Sequence, residues 1–160
     1  MESDAPDFSK RRNETEDERD DRNWVEILQE LRVTQTGTQI MSGFLLTLAF
    51  QQRFHDLDAY QVTVYVLLVL LAAVSSSLGL TPVALHRALF RQHEKRKIVI
   101  IGNRLLKTTL AAVSVLTAGV VLFVLDVVVG RAAGLIAGTA TFLFLGFMLA
   151  LMPRLVASSR

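Results

Sequence analysis

Apolar residues in this chain arrive in long unbroken blocks rather than as the half-and-half stripe of a soluble helix. Four blocks of about 33–52, 60–85, 108–126 and 132–153 lack Lys, Arg, Asp and Glu, apart from Asp126 at the edge of the third. A helix rises 1.5 Å per residue, so about 20 residues match the roughly 30 Å hydrocarbon layer of a bilayer. The pattern predicts four transmembrane helices. The first block is the least apolar, because it opens on Thr34-Gln35-Thr36-Gly37-Thr38-Gln39. Thr81-Pro82 is expected to kink the second or end its regular part.

Ahead of the first block the rhythm changes. Trp24, Ile27, Leu28 and Leu31 fall at i, i+3, i+4 and i+7 and make one apolar stripe, with Glu26 and Glu30 opposite. Asn23 followed by Glu26 reads as a capping box. These signals predict an interfacial amphipathic helix over 23–32, with Trp24 at the headgroup level. Before it, residues 14–21 hold six acids in eight positions, and 1–21 reads as a disordered, charged cytoplasmic tail. The expected architecture is all-α: an integral membrane protein, with residues 22–157 forming a four-transmembrane-helix bundle behind an N-terminal interfacial amphipathic helix.

Composition supports this segregation. The 160 residues are 51 % hydrophobic and 20 % charged, yet the charges crowd into 1–32 and 86–107. A charge at mid-membrane costs about 2.5–3.5 kcal/mol on insertion scales, which explains the separation. The first twenty residues lack the apolar core of a secretory signal, so the first span is expected to direct its own insertion. The segment between the second and third spans holds Arg87, Arg91, Lys95, Arg96, Lys97, Arg104 and Lys107, whereas the other two connections hold only Arg53 and Arg131. The positive-inside bias places the basic loop and both termini in the cytoplasm.

Candidate chemistry is sparse. The chain has no cysteine, so disulfides and thiolate sites are excluded. His86 and His93 are seven apart, too far for two imidazoles to share an ion on one helix face, and no metal or cofactor is expected. Ser75, Ser76 and Ser77 have no histidine at their depth, so no nucleophile–base pair forms and no enzyme is expected. Asp126 is expected at the interface, hydrated or beside Arg131. Gly130, Gly134 and Gly138 form a small-residue ridge for helix packing, with a homodimer seam as the sharper alternative. In the first span Arg32, Gln35, Thr36, Gln39, Ser42 and Thr47 share one broad face with Gly43. Buried amides need partners, so this face is expected to look into the bundle. It is either a hydrogen-bond network that fixes packing or a polar pocket open to the cytoplasm.

Two stretches carry a resemblance. One is Arg22-Asn23, Glu26, Leu28-Gln29-Glu30, Arg32-Val33, Gln35-Thr36-Gly37, Gln39-Ile40, Phe44-Leu45-Leu46 and Phe50. The other is Thr81-Pro82-Val83-Ala84, His86-Arg87, Phe90-Arg91 and Lys95. Together they resemble an uncharacterised family of short actinobacterial four-helix integral membrane proteins, a domain of unknown function. The resemblance implies a multi-pass bacterial plasma membrane protein and brings no activity or catalytic residue.

The first functional expectation is a regulatory or interaction protein. Trp24, Arg87, Arg91, Lys95, Arg96 and Lys97 would form a cytoplasmic platform for anionic lipid headgroups or a protein partner, on which the acidic tail folds back. The alternative is a small transporter or channel, formed as a homo-oligomer around the polar face of the first span. Basic clusters beside membrane ends are ordinary, so no nucleic acid is expected.

Overall fold

The computed structural model describes residues 15–89, 95–152 and 154–155, and they are helical throughout apart from short turns. Four helices run in order: α1 (Glu16–Leu48), α2 (Ala59–Leu89), α3 (Lys95–Val128) and α4 (Arg131–Gly146), the last continued by a π-turn over Phe147–Leu151. A 3-10 turn over Gln52–Asp56 joins α1 to α2.

Helix α1 differs from expectation at its start. It is one continuous helix of 33 residues with no break between an interfacial piece and a span. The cap is Thr15, not Asn23. The Glu18 backbone N–H donates to Thr15 Oγ1 at 3.3 Å, and the Thr15 N–H donates back to Glu18 Oε2 at 2.9 Å. This reciprocal box satisfies donors a helix start would leave open. Asn23 sits a full two turns inside. Residues 1–14 of the expected tail lie outside the described residues, and Glu16–Asp21 are helical.

A second box, equally unexpected, opens α2: the Gln61 N–H donates to Asp58 Oδ1 at 2.8 Å and the Asp58 N–H to Gln61 Oε1 at 3.0 Å. Pro82 is buried inside α2, which runs on to Leu89 rather than ending there. Helix α3 begins about three turns before the expected 108, so Ile98–Ile101 are its early turns.

Contacts fix an up-down-up-down bundle. The Tyr65 hydroxyl donates to the Leu45 carbonyl at 3.0 Å, and Gln35 lies against Gly79, so α1 and α2 are antiparallel. Trp24 packs on Gly102, and the Thr117 hydroxyl contacts Met41 Sδ at 3.8 Å, so α1 and α3 run parallel. Helix α4 returns along α3.

One core cluster joins Leu45, Tyr65, Leu68, Ala72, Leu116 and Phe123, with Phe54 edge-on to Tyr65 at 4.9 Å. A second joins Ile27, Leu31 and Leu106. The stripe assigned to the membrane surface is therefore an interior stripe: α3 covers it. Trp24 is 8 % exposed because Gly102 has no side chain to hold the indole away.

Three helices are long and apolar enough to cross a membrane: Ala59–Pro82, Ile98–Val128 and Arg131–Leu151. Only 28 %, 22 % and 11 % of their most apolar windows are buried inside the bundle. Their outward faces are apolar on a scale that soluble monomers avoid. The expected first span, within α1, is too polar to join them. Three such helices stand where the apolar blocks alone suggest four.

Candidate functional site

The polar face of α1 is divided. Gln35 and Ser42 turn towards the seams of the bundle, whereas Arg32, Thr36, Gln39, Gly43 and Thr47 are exposed on its outside. The expectation that the whole face looks inward is corrected. The interior edge of α1 is set instead by Ile27, Leu31, Thr38 and Leu45, all buried. The hydroxyls do not form an interhelical network either. Thr34, Thr36, Thr38, Ser42 and Thr47 each donate to the carbonyl four residues earlier, at 2.7–3.0 Å. This back-bonding removes five polar groups from the surface that α1 offers its surroundings.

The glycine ridge divides as well. A Cβ at Gly134 would lie 2.6 Å from the Leu122 carbonyl oxygen and 2.8 Å from the Asp126 nitrogen, and one at Gly138 would lie 2.5 Å from Leu122 Cβ. These two glycines let α4 touch the backbone of α3, which occupies the ridge within one chain. Gly130 is different: φ is +128°, it caps the turn into α4, and nothing lies near its missing side chain. Of the basic platform, Arg87 is in the last turns of α2 and Lys95, Arg96 and Lys97 open α3, while Arg91 lies outside the described residues.

At the α3–α4 end is a charge cluster that Asp126 alone only hinted at. Asp126 is 5 % exposed. The Gln61 amide donates to its Oδ1 at 3.1 Å, and Arg131 Nε lies 2.9 Å from Oδ2. That approach is off the N–H direction, so it is an ion pair without a full hydrogen bond. Arg131 also donates to Asp58 Oδ2 at 2.6 Å and covers the Tyr60 ring at 3.8 Å. One guanidinium thus ties the start of α2, the end of α3 and the start of α4.

The Gln61 N–H and the nearby Arg131 hold the Asp58 carboxyl below its usual range. A depressed folded-state value means that Asp58 stabilises the fold above the ordinary aspartate range and loses that contribution as pH falls through the depressed value. The acid limb of a thermal-stability titration is expected to flatten in Asp58→Asn. An unchanged limb would remove the residue from the clamp.

The other end holds a groove. Helices α1 and α4 both pack on α3 but leave a cleft between them of about 830 Å³. Its mouth carries Glu30 from α1, Asn103 and Lys107 from α3, and Arg154 beyond α4. Further in, its walls are Leu110, Phe142, Met148 and Leu149. The π-turn shapes this wall: the Met152 N–H reaches back five residues to the Phe147 carbonyl, which inserts an extra residue and re-aims the chain beyond it. Neither Lys107 nor Arg154 has an ion-pair partner among the described residues. The mouth has two cations against one acid, above an apolar channel. The described residues contain no cluster of three or more metal-ligating side chains.

A family model matches residues 13–153, nearly the whole chain. The chain belongs to DUF6328, a family of unknown function. No curated protein and no solved structure matches this DUF6328 member. The match covers all four helices, so the clamp and all of the groove except Arg154 lie within the DUF6328 region.

Sequence reasoning missed the groove, which depends on which helices fail to touch. Its one legible sign was Lys107, the last cation before the uncharged run of 108–125.

Proposed function

We propose that this protein is a non-enzymatic, multi-pass protein of the bacterial plasma membrane. In this reading α1 crosses beside the three apolar helices, both termini are cytoplasmic, and the protein acts as a regulatory or interaction platform that holds an anionic lipid. The observation that carries it is the groove between α1 and α4. Along α3 it runs from Asn103 to Val115, about 18 Å at helical rise. Its polar, net-positive mouth lies at the end where α2 passes to α3, and its apolar part points towards the bundle's middle. That gradient matches an acidic headgroup followed by an acyl chain. Arg87, Lys95, Arg96 and Lys97 belong to the same end of the bundle and would add long-range attraction for an anionic leaflet.

The transport alternative draws less support. Its intended lining, the polar face of α1, is shared between a helix seam and the outside of the bundle.

Lipid retention tests the reading. Protein extracted from membranes and examined intact by native mass spectrometry is expected to keep phosphatidylglycerol in preference to phosphatidylcholine. A juxtamembrane cation contributes about 1 kcal/mol towards an anionic lipid, so Lys107→Gln with Arg154→Gln should reduce that retention roughly 30-fold. Equal retention of both lipids by the unaltered protein would sink the proposal.

A further inference from the structure

The groove and the clamp leave one feature of the molecule unused: the outward face of α1. Its hydroxyls, on Thr36 and Thr47, are satisfied by their own helix. Gln35 is packed against Gly79 in the α1–α2 seam. One strongly polar side chain then remains outside the bundle along the central part of α1, and it is Gln39. It is exposed, and no hydrogen bond reaches it among the described residues.

The depth of Gln39 is set by the helix register. Met41 meets Thr117 on the parallel helix α3, so Gln39 lies level with about Val115. That is close to the middle of Ile98–Val128. On the antiparallel helix α2 the contacts Leu45–Tyr65 and Gln35–Gly79 bracket it, again near the middle of Ala59–Pro82. If these segments lie in a bilayer, as the functional reading holds, an unpaired carboxamide faces hydrocarbon at its centre, where no water can satisfy it.

We propose that a second copy of this chain packs along this face of α1, with Gln39 paired to Gln39 of the partner subunit. Two features favour a copy over a different protein. A carboxamide is its own complement: each offers an N–H donor and a carbonyl acceptor, so two related by a two-fold axis form a reciprocal pair. Copies inserted in the same orientation have that axis along the membrane normal, which brings equal depths together. The second feature is room. Gly43 comes four residues after Gln39 on the same stripe, and no atom lies within 4 Å of where its Cβ would sit. Thr36 and Thr47 extend the stripe with hydroxyls turned back to their own carbonyls, so they meet the partner with methyl groups. Small residues at this spacing allow the close helix approach that an interhelical amide pair requires. Arg32, one turn before Thr36, has the length to reach the headgroup layer. The seam is distinct from the Gly134–Gly138 ridge, which α3 already fills.

The natural chain has no cysteine, so engineered ones report without background. Single substitutions Gly37→Cys, Gln39→Cys, Gly43→Cys and Phe44→Cys are oxidised in native membranes. Disulfide-linked dimers are expected at 39 and 43 and little at 37 and 44. In detergent, Gln39→Leu should weaken self-association about tenfold by analytical ultracentrifugation. Gly43→Leu should abolish it, while Gly37→Leu, which also enters open space, should leave it unchanged. A monomeric natural protein, equal crosslinking at all four positions, or disulfide-free membranes with a different protein captured at 39 would each overturn the proposal. Labelling of Gln39→Cys with a membrane-impermeant maleimide separates the two readings. A readily labelled thiol would remove α1 from the bilayer, and the dimer argument with it. A shielded thiol in a monomer would leave the membrane reading intact and end the dimer alone.

Discussion

Replacing Gly134 with leucine should detach α4 from α3. The site has no slack: the nearest neighbours of a new Cβ are the Leu122 carbonyl oxygen at 2.6 Å and the Asp126 nitrogen and Cβ at 2.8 Å. Two of these three are backbone atoms of α3, which cannot rotate aside as a side-chain tip can. Even Gly134→Ala forces the helices apart, and overpacking of this kind costs about 1–3 kcal/mol. Leucine adds three more carbons in the same direction and should exceed that range. Fluorescence-detected size exclusion after detergent extraction is the direct measure. Gly134→Leu should give little monodisperse protein and Gly134→Ala a folded protein with a lowered thermal midpoint. Gly146→Ala is the control. No atom lies within 4 Å of its Cβ position, so alanine should hold or raise stability by favouring the helix. Normal behaviour of Gly134→Leu would mean that α4 does not pack on α3 through this face.

The second large effect is at the Asp126–Arg131 clamp, and it should be lopsided. Arg131 and Asp126 form one ion pair, yet the Asp126 side chain is 3 % exposed and that of Arg131 is 41 %. Arg131→Gln leaves a buried carboxylate with only the Gln61 amide for company. Asp126→Asn leaves a guanidinium that reaches water and still pairs with Asp58. Breaking a buried pair from the side that strands the buried charge is the costlier cut. Arg131→Gln should therefore lower the thermal midpoint by roughly 8 °C, and Asp126→Asn by about half as much. The double substitution should fall no further than Arg131→Gln alone, because the stranded charge is gone. Additive losses in that double variant would show that the two residues are not coupled.

The apolar blocks predict α2, the core of α3 and α4 because an uninterrupted apolar run long enough to cross a membrane has few other uses. Their edges were less legible. Helix α3 starts at Lys95 rather than near 108 because Arg104 and Lys107 end an uncharged run without ending a helix. The cap of α1 differs from the expected one because the acidic run reads as a tail: the Asn-x-x-Glu spacing of Asn23 and Glu26 has a counterpart inside that run, Thr15 with Glu18. Only the second lies where the chain enters the helix. The charge clamp was half visible, since Asp126 and Arg131 are five apart. Asp58, Tyr60 and Gln61 reach it through the fold and carry no mark in the local sequence beyond an Asp-x-x-Gln cap. The division of the polar face of α1 was not legible at all. Helical spacing shows which residues share a side, but a neighbour's surface decides where that side points. Here the larger apolar residues Ile27, Leu31 and Leu45 claimed the interior.

The back-bonded hydroxyls of α1 also bear on how the protein is made. Of the helices that precede the basic loop, α1 leaves the ribosome first and is the less able to partition into lipid alone. By hiding five hydroxyls on its own carbonyls it lowers that barrier without removing it, since Gln35 and Gln39 keep their amides. The short turn from Leu48 to Asp58 delivers α2 directly afterwards, with Gly79 shaped to receive Gln35. On the membrane reading, biogenesis therefore proceeds by hairpin: α1 is held at the translocon until α2 arrives, and the two enter the bilayer as one unit.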